Sequence, residues 1–471
     1  MSRVAELVAL GNQFISRGDL VAARFHYQAA LSLDPGNIIA LSNLAASAGG
    51  SHDTRLKLSA VSIFRRILSL DPENVHATNN LGTLLMQLER YDEAKEVMLR
   101  AARLSPDVVP TWHNLALLMN RLGDYEAGLK YLDEVEGLGY SSPQIDNDRA
   151  HLLLSLGRFR DAYPFYEARW WQLNHLPPWD FHIPEWAGEN IENKKVLVHA
   201  EQGQGDTFMT VRFLEEISSS KVVLAVQGGM IDLFNIQDWN DVDVVDVMNP
   251  FTSHSPESFS FHIPLMGLMR WLNIDPGDIN PKPYLSAPKI TLPPPLPDSN
   301  YFNVGICWAS GTHGEEFDRR RRVSDLSLWL KLAENAKVRL WSLYRGIGED
   351  EVERIGADAL IATPILSYKS WSETAALISR LDLVISVDTA IVHLAAAMGK
   401  PTWLLSQYDH CWRWLGIETG VGLPWYNCLK IICAEKSGDW ENQIQIASNW
   451  LEDFLKGDLG KGLSIRDRLA A

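Results

Sequence analysis

Two hydrophobic rhythms divide the chain. In the first third, apolar residues return at the three- and four-residue spacing of amphipathic helices. Turn signals punctuate that stretch at Gly18-Asp19, Glu89-Arg90-Tyr91, Gly123-Asp124-Tyr125 and Gly157-Arg158-Phe159, the last three lying 34 residues apart. From residue 194 onward, short runs rich in Val, Ile and Leu alternate with helical stretches. Strands are predicted over 195–200, 222–226, 242–247 and 261–265, with helices over 207–217 and 230–234 between them. After a proline-rich interval, strands over 304–308, 338–343 and 383–387 alternate with helices over 326–333, 374–379 and 390–398. That alternation predicts two α/β halves built on parallel strands.

The helical third is a repeat. Small residues recur where the second helix of each pair would cross the first (Ala23, Ala60, Ala94, Gly128, Ala162), and larger apolar ones follow four positions later (Tyr27, Phe64, Met98, Leu132, Tyr166). Pro35, Pro72 and Pro106 end three of the units. The period is that of tetratricopeptide repeats, and about five helix pairs fit between Val4 and Trp171, the second interrupted by a loop over 48–53. Each pair buries its apolar stripe only against a neighbour, which predicts an α-solenoid over residues 1–171 with a concave face suited to a peptide or protein. A rigid spacer or a dimerisation arm is the alternative use of such a solenoid.

Residues 172–193 form a junction rich in Trp and Pro. Four tryptophans (Trp170, Trp171, Trp179, Trp186) fall within seventeen residues, a density that suits a wedge between domains better than a loose linker. A sugar-stacking platform is the other reading of these rings. Residues 194–287 make the first α/β half, 288–300 a proline-stiffened hinge, 301–456 the second half and 457–471 a tail.

Composition narrows the function. A formal charge of −16 and a pI of about 5.3 argue against a nucleic-acid or anionic-membrane binder. The cysteines Cys307, Cys411, Cys428 and Cys433 form no C-x-x-C pair, which fits a reducing, cytoplasmic compartment. The N-terminal residues do not read as a signal peptide, and no apolar stretch reaches the ~20 residues of a membrane helix.

Chemistry concentrates where predicted strands run into helices. At Asp388-Thr389 the strand 383–387 enters the helix 390–398, offering free N–H groups and a positive dipole end to an anion such as phosphate. His393 lies one turn into that helix, within reach of the same anion; the same pattern also suits a capped core helix with His393 packed inside. In the first half, Gly203 and Gly205 in the turn 201–206 would let backbone approach a ligand, and Asp206 either caps the next helix or faces the ligand. The run Arg319-Arg320-Arg321-Arg322 is either a solvated loop or a source of counter-charge. A helix terminus supplies at most ~2 kcal/mol and micromolar affinity needs ~8, so a bound diphosphate calls for a guanidinium as well.

The segment Asp388-Thr389-Ala390-x-x-His393-Leu394-Ala395-Ala396-Ala397-x-Gly399-x-Pro401 resembles the nucleotide-binding signature of heptosyltransferase-like (family 9) glycosyltransferases. Pro283-Tyr284-Leu285, Asp409-His410-Cys411-Trp412-Arg413-Trp414 and Leu423-Pro424-Trp425-Tyr426 resemble other phrases of that family in the same order, with His410, Cys411 and Leu423 departing from its pattern. The resemblance spans Lys194 to Leu455. It implies a GT-B fold of two Rossmann-like halves, with a nucleotide-sugar donor as substrate in the second half, and neither a metal nor any other cofactor. It places Ser310, Asp388, Thr389, Ala390 and His393 on the nucleotide, with Gly203 and Gly205 in the facing loop. It makes Asp206 the general base toward an acceptor hydroxyl, and Arg322, with Arg321 in reserve, the cation that meets the departing diphosphate.

The same plan, repeats followed by GT-B, occurs in O-linked N-acetylglucosamine transferases. A protein acceptor held by the repeats is therefore the first expectation. A glycolipid or lipopolysaccharide acceptor, or an adaptor whose GT-B half has lost its chemistry, are the alternatives.

Overall fold

The computed structural model describes residues 2–49, 53–172, 181–201, 203–292, 297, 300–310, 324–346, 348–414, 425–436 and 438–456. The chain separates into two units, Met1–Leu153 and Leu154–Ala471.

The first unit is a solenoid of antiparallel helix pairs. They are α1 (Arg3–Ser16) and α2 (Leu20–Leu33), α3 (Ile38–Gly49) and α4 (Thr54–Leu70), α5 (Val75–Gln87) and α6 (Tyr91–Leu104), α7 (Val109–Arg121) and α8 (Tyr125–Gly137), followed by α9 (Pro143–Ser155). Side-chain caps start several of these helices: Asp19 accepts from the Ala22 N–H at 2.9 Å and Asn74 from Ala77 at 2.9 Å. Between paired helices the chain turns through a left-handed residue, Gly18, Gly123 and, without the licence of a glycine, Glu89 (φ 59°). The repeat positions read from the sequence are core positions: Ala23, Ala60, Ala94, Met98 and Leu132 are fully buried, and Tyr27 and Phe64 nearly so. One apolar cluster runs from Leu41 to Met119 across α3 to α7, as stacked repeats require.

Polar side chains of successive first helices also meet. Asn43 donates to Asn12 at 2.9 Å, Asn114 to Thr83 at 3.1 Å and to Asn79 at 3.4 Å, and His113 pairs with Asp148 at 2.7 Å.

The second unit opens with α10 (Phe159–Tyr166) and α11 (Arg169–Gln172) and holds two parallel sheets. The first sheet has strands β1 (Lys195–His199), β2 (Lys221–Val226), β3 (Val242–Asp246) and β4 (Phe261–Pro264) in the order β3-β2-β1-β4. The second has β5 (Phe302–Cys307), β6 (Val338–Ser342), β7 (Ile361–Ala362), β8 (Leu383–Val387), β9 (Thr402–Ser406) and β10 (Leu429–Cys433) in the order β10-β9-β8-β5-β6-β7. The central strands β5, β8 and β9 are buried at every position, as strands covered on both faces are. In each sheet the strand order reverses once, beside β1 and β4 and again beside β5 and β8, and ligands of open α/β sheets sit outside the carboxyl ends of strands at such a reversal.

Several boundaries differ from the sequence reading. The helix expected over 207–217 begins earlier, as α12 (Gln204–Thr210), and tightens into a 3-10 turn over Val211–Ile217. Its early start follows from Asp206, whose carboxylate accepts the Gly203 N–H at 3.1 Å and so closes the first turn. Thr210 bonds back to the Asp206 carbonyl at 2.7 Å, which loosens the α-helix where the 3-10 turn takes over. The helix expected over 374–379 runs Trp371–Arg380, started by Glu373 accepting from the Ser370 N–H at 3.2 Å.

The tryptophan-rich junction divides. Phe181 and Ile183 join the core of the first sheet with Leu197 and Val223, Trp186 is buried beside it, and Glu185 makes a parallel bridge with His262 of β4. Trp171 is 70% exposed, and Trp179 lies outside the described residues. Within the second unit, Phe159 of α10 meets Trp412 edge-on at 5.8 Å and stacks on Trp425 at 6.1 Å.

Candidate active site

The loop from β1 to α12 and the loop from β8 to the helix Ala390–Ala397 open onto one cleft of about 670 Å³. Gly203, Gly205 and Asp206 line it from the first half, and Ser310, Asp388, Thr389, Ala390 and His393 from the second. Its volume is in the range that encloses a ligand of nucleotide-sugar size.

Each wall is held from behind. The first loop is anchored by Glu201, buried with a 4% and 1% exposed ion pair to Arg169 at 2.8 Å, whose second carboxylate oxygen accepts the Met266 N–H at 2.8 Å. Tyr284, in the Pro-Tyr-Leu phrase, ties the halves together. Its hydroxyl donates to the Phe208 carbonyl at 2.6 Å, and its N–H donates to the Ala397 carbonyl at 2.9 Å. Arg212 adds a second tie, from Nη1 to the carbonyls of Asn280 at 3.1 Å and Trp425 at 2.8 Å, with its guanidinium over the Tyr284 ring.

The helix Ala390–Ala397 starts at Thr389 without a side-chain cap, because the Thr389 hydroxyl is engaged with Ser386 at 3.0 Å. Its first N–H groups thus face the cleft with the positive end of the helix dipole.

Asp206 and Arg413 form an ion pair in the same cleft, each side chain 15% exposed. Arg345 and Lys369 also line it. The described lining therefore carries three cations, Arg345, Lys369 and Arg413, against the two carboxylates Asp206 and Asp388, a local excess of positive charge in a chain of −16. That balance favours an anion.

His393, expected from the sequence on the nucleotide, lines the cleft with its ring held by protein partners. The ring stacks on Trp414 at 4.9 Å, and Nδ1 lies 2.9 Å from the Tyr426 hydroxyl. Burial pushes its pKa down to about 4, against the opposing pull of Asp388 and Asp206, so at neutral pH it is an uncharged wall and supplies no counter-charge. Gly205 likewise has a close protein partner. A Cβ there would lie 2.9 Å from His393 Cδ2 and 3.5 Å from Ala390 Cα, so its bareness serves the approach of the two helix starts.

Arg321 and Arg322 lie outside the described residues. Sequence reading passed over Arg345 and Lys369, and it left the Trp412-Arg413-Trp414 phrase without a role. The structure buries both tryptophans and aims only Arg413 at the cleft. A basic residue just beyond the carboxyl end of a predicted parallel strand, as Arg345 is after β6, was the signal available for the first of these.

The model of glycosyltransferase family 9 (heptosyltransferase) matches residues 330–408, and a tetratricopeptide-repeat model matches residues 59–119. The chain carries a tetratricopeptide-repeat region and a glycosyltransferase family 9 domain. Arg345, Lys369, Asp388, Thr389, Ala390 and His393 all fall within the family 9 match. The chain is 26% identical over 473 residues to Protein FlbA of Caulobacter vibrioides, across 92% of this chain and 76% of that protein. It is 25% identical over 162 residues to the type IV pilus assembly protein PilF of Pseudomonas aeruginosa, across 34% of this chain and 63% of that one. Among solved structures, the tetratricopeptide-repeat protein TTC0263 of Thermus thermophilus is similar at 23% identity and a TM-score of 0.30, covering 38% of this chain and 94% of that one. No helix among the described residues is long and apolar enough to cross a membrane.

Proposed function

We propose that this glycosyltransferase takes its sugar from a nucleotide-sugar donor, uses side chains rather than a metal to meet the diphosphate, and glycosylates a hydroxyl on a polypeptide held by its repeats. The observation that carries the reading is the single cleft that joins the Asp206 loop to the uncapped start of the helix Ala390–Ala397. The donor's diphosphate would lie on that helix start, with the surrounding cations offsetting its charge. The acceptor oxygen bonds to the anomeric carbon as the bond from that carbon to the diphosphate oxygen breaks and its electron pair leaves with the diphosphate. Asp206 takes the hydroxyl proton. A carboxylate is a weak base for an alcohol, so this transfer comes late, once the acceptor oxygen has gained positive charge.

The row of Asn12, Asn43, Asn79 and Asn114 supports a polypeptide acceptor. Primary amides pair with the alternating N–H and C=O groups of an extended backbone irrespective of its sequence. The polar, uncharged character of this row offers little to a lipid.

The test uses the full chain, a radiolabelled nucleotide sugar that stabilises it, and a lysate of its own host lacking its gene. Label is expected in the protein fraction. It should fall roughly ten-fold in the triple variant Asn43→Ala, Asn79→Ala, Asn114→Ala, while donor hydrolysis continues. Label appearing only in the organic-extractable lipid fraction overturns the polypeptide reading in favour of a glycolipid acceptor.

A further inference from the structure

Arg413 is built into the cleft as a charge with unfinished bonding. It sits on the 3-10 turn Trp412–Trp414, with Cζ 4.9 Å from the centre of the Trp412 ring. That ring is itself braced by Phe159 and Tyr166 of α10. One terminal nitrogen pairs with Asp206 and the other lies 2.9 Å from the Cys411 sulfur. Nε is buried and has no hydrogen-bond partner among the described residues. The carboxylates of both halves, Asp206 and Asp388, act on this one guanidinium.

A guanidinium offers a fork of donors that fits phosphate oxygens as well as a carboxylate. A diphosphate carries more negative charge than Asp206 and brings more acceptor oxygens. An ion entering at the helix start 390–397 therefore competes with Asp206 for Arg413.

We propose that Arg413 is an exchangeable counter-ion, held by Asp206 until a donor binds and then passed to the donor's diphosphate. The exchange rests on the nucleotide-sugar reading above and adds an order of events to it. Before the donor arrives, Asp206 is masked by Arg413 and cannot serve an acceptor hydroxyl. Once the guanidinium moves to the diphosphate, the carboxylate is released for the proton and the leaving group gains its cation in the same step. The donor binds first, and an acceptor hydroxyl meets an active base only when a donor is present.

The test starts from whichever of UDP, ADP, GDP and CDP most raises the melting temperature of the full chain. Calorimetry compares that diphosphate and its parent nucleoside on the wild type, Arg413→Gln and Arg413→Lys. Arg413→Gln is expected to weaken the diphosphate by roughly ten-fold or more and to leave the nucleoside within about two-fold, and Arg413→Lys to recover part of the loss. In the crystal structure of the diphosphate complex the guanidinium should lie on a phosphate oxygen and no longer on Asp206. Undiminished diphosphate binding by Arg413→Gln, equal weakening of diphosphate and nucleoside, or a guanidinium still paired with Asp206 in the complex overturns the exchange and leaves the glycosyltransferase reading standing. Failure of all four diphosphates to bind the wild type overturns the donor reading itself.

Discussion

The imidazole of His393 lies so close to Gly205 that a methyl group on residue 205 would meet its Cδ2 at 2.9 Å. The ring cannot retreat easily, because it is stacked on Trp414 and bonded to Tyr426. Two helix starts, one from each half, are thus brought together over the cleft by the absence of a side chain. Gly205→Ala should cost about 1 to 3 kcal/mol by overpacking, more than the helix propensity it gains. Chemical denaturation of Gly205→Ala, His393→Ala and the double variant checks this. A coupling energy of about 1 kcal/mol or more is expected, and additive effects would contradict the contact.

The buried histidines make the second unit acid-sensitive. His393 is pushed down to about 4 and His199, buried beside His262 at 3.2 Å, to about 3, in both cases chiefly by burial. The unfolded chain binds these protons near pH 6.5 and the folded one only near pH 4 and 3. Stability is therefore full above pH 6.5 and falls as the pH drops from there. Each group contributes a slope of about 1.4 kcal/mol per pH unit. Denaturation of wild type and His393→Gln between about pH 7 and 5 should show a slope shallower by about 1 kcal/mol per pH unit in the variant. Parallel slopes would mean that the ring is solvated.

Much of the fold was legible because its signals are local. The 34-residue spacing of turns and the alternation of short apolar runs with helices survive in any window of the chain. The same is true of the strand-to-helix junctions at Asp206 and Asp388. What was not legible depends on distance along the sequence. Nothing near Arg413 announces a partner two hundred residues upstream, and nothing in the Trp412-Arg413-Trp414 phrase marks its tryptophans as packing for Phe159 and His393. The start of α12 was misjudged for a related reason. Glycine-rich stretches read as loops, yet Gly203 here is the N-cap, and the carboxylate three residues on closes the turn.

Glu89 occupies the left-handed turn position that Gly18 and Gly123 fill in other repeats. An L-residue there costs about 1 to 2 kcal/mol, partly offset by the smaller freedom it has when unfolded. Glu89→Gly should therefore stabilise the solenoid by up to about 1 kcal/mol. Hydrogen exchange of the α5 and α6 amides reads the change locally. Faster exchange in the variant would show that the Glu89 side chain stabilises the turn by more than its backbone strain costs.

Tyr284 ties the halves through a bond that a single oxygen makes. Tyr284→Phe removes the donor to the Phe208 carbonyl and should lower stability by about 1 kcal/mol. Because that bond sets the position of α12 against the second half, donor turnover should fall more than stability alone explains. Unchanged turnover at saturating donor would show that the relative placement of the halves does not depend on this bond.

The most direct measurement of the central claim is release of nucleoside diphosphate from a panel of nucleotide sugars by the purified full chain, with Asp206→Asn beside it. The account predicts slow release from at least one donor, raised by an acceptor, and a loss of roughly a hundred-fold or more in Asp206→Asn with donor binding retained. Release at the same rate by Asp206→Asn, or no release from any donor that binds, would contradict it.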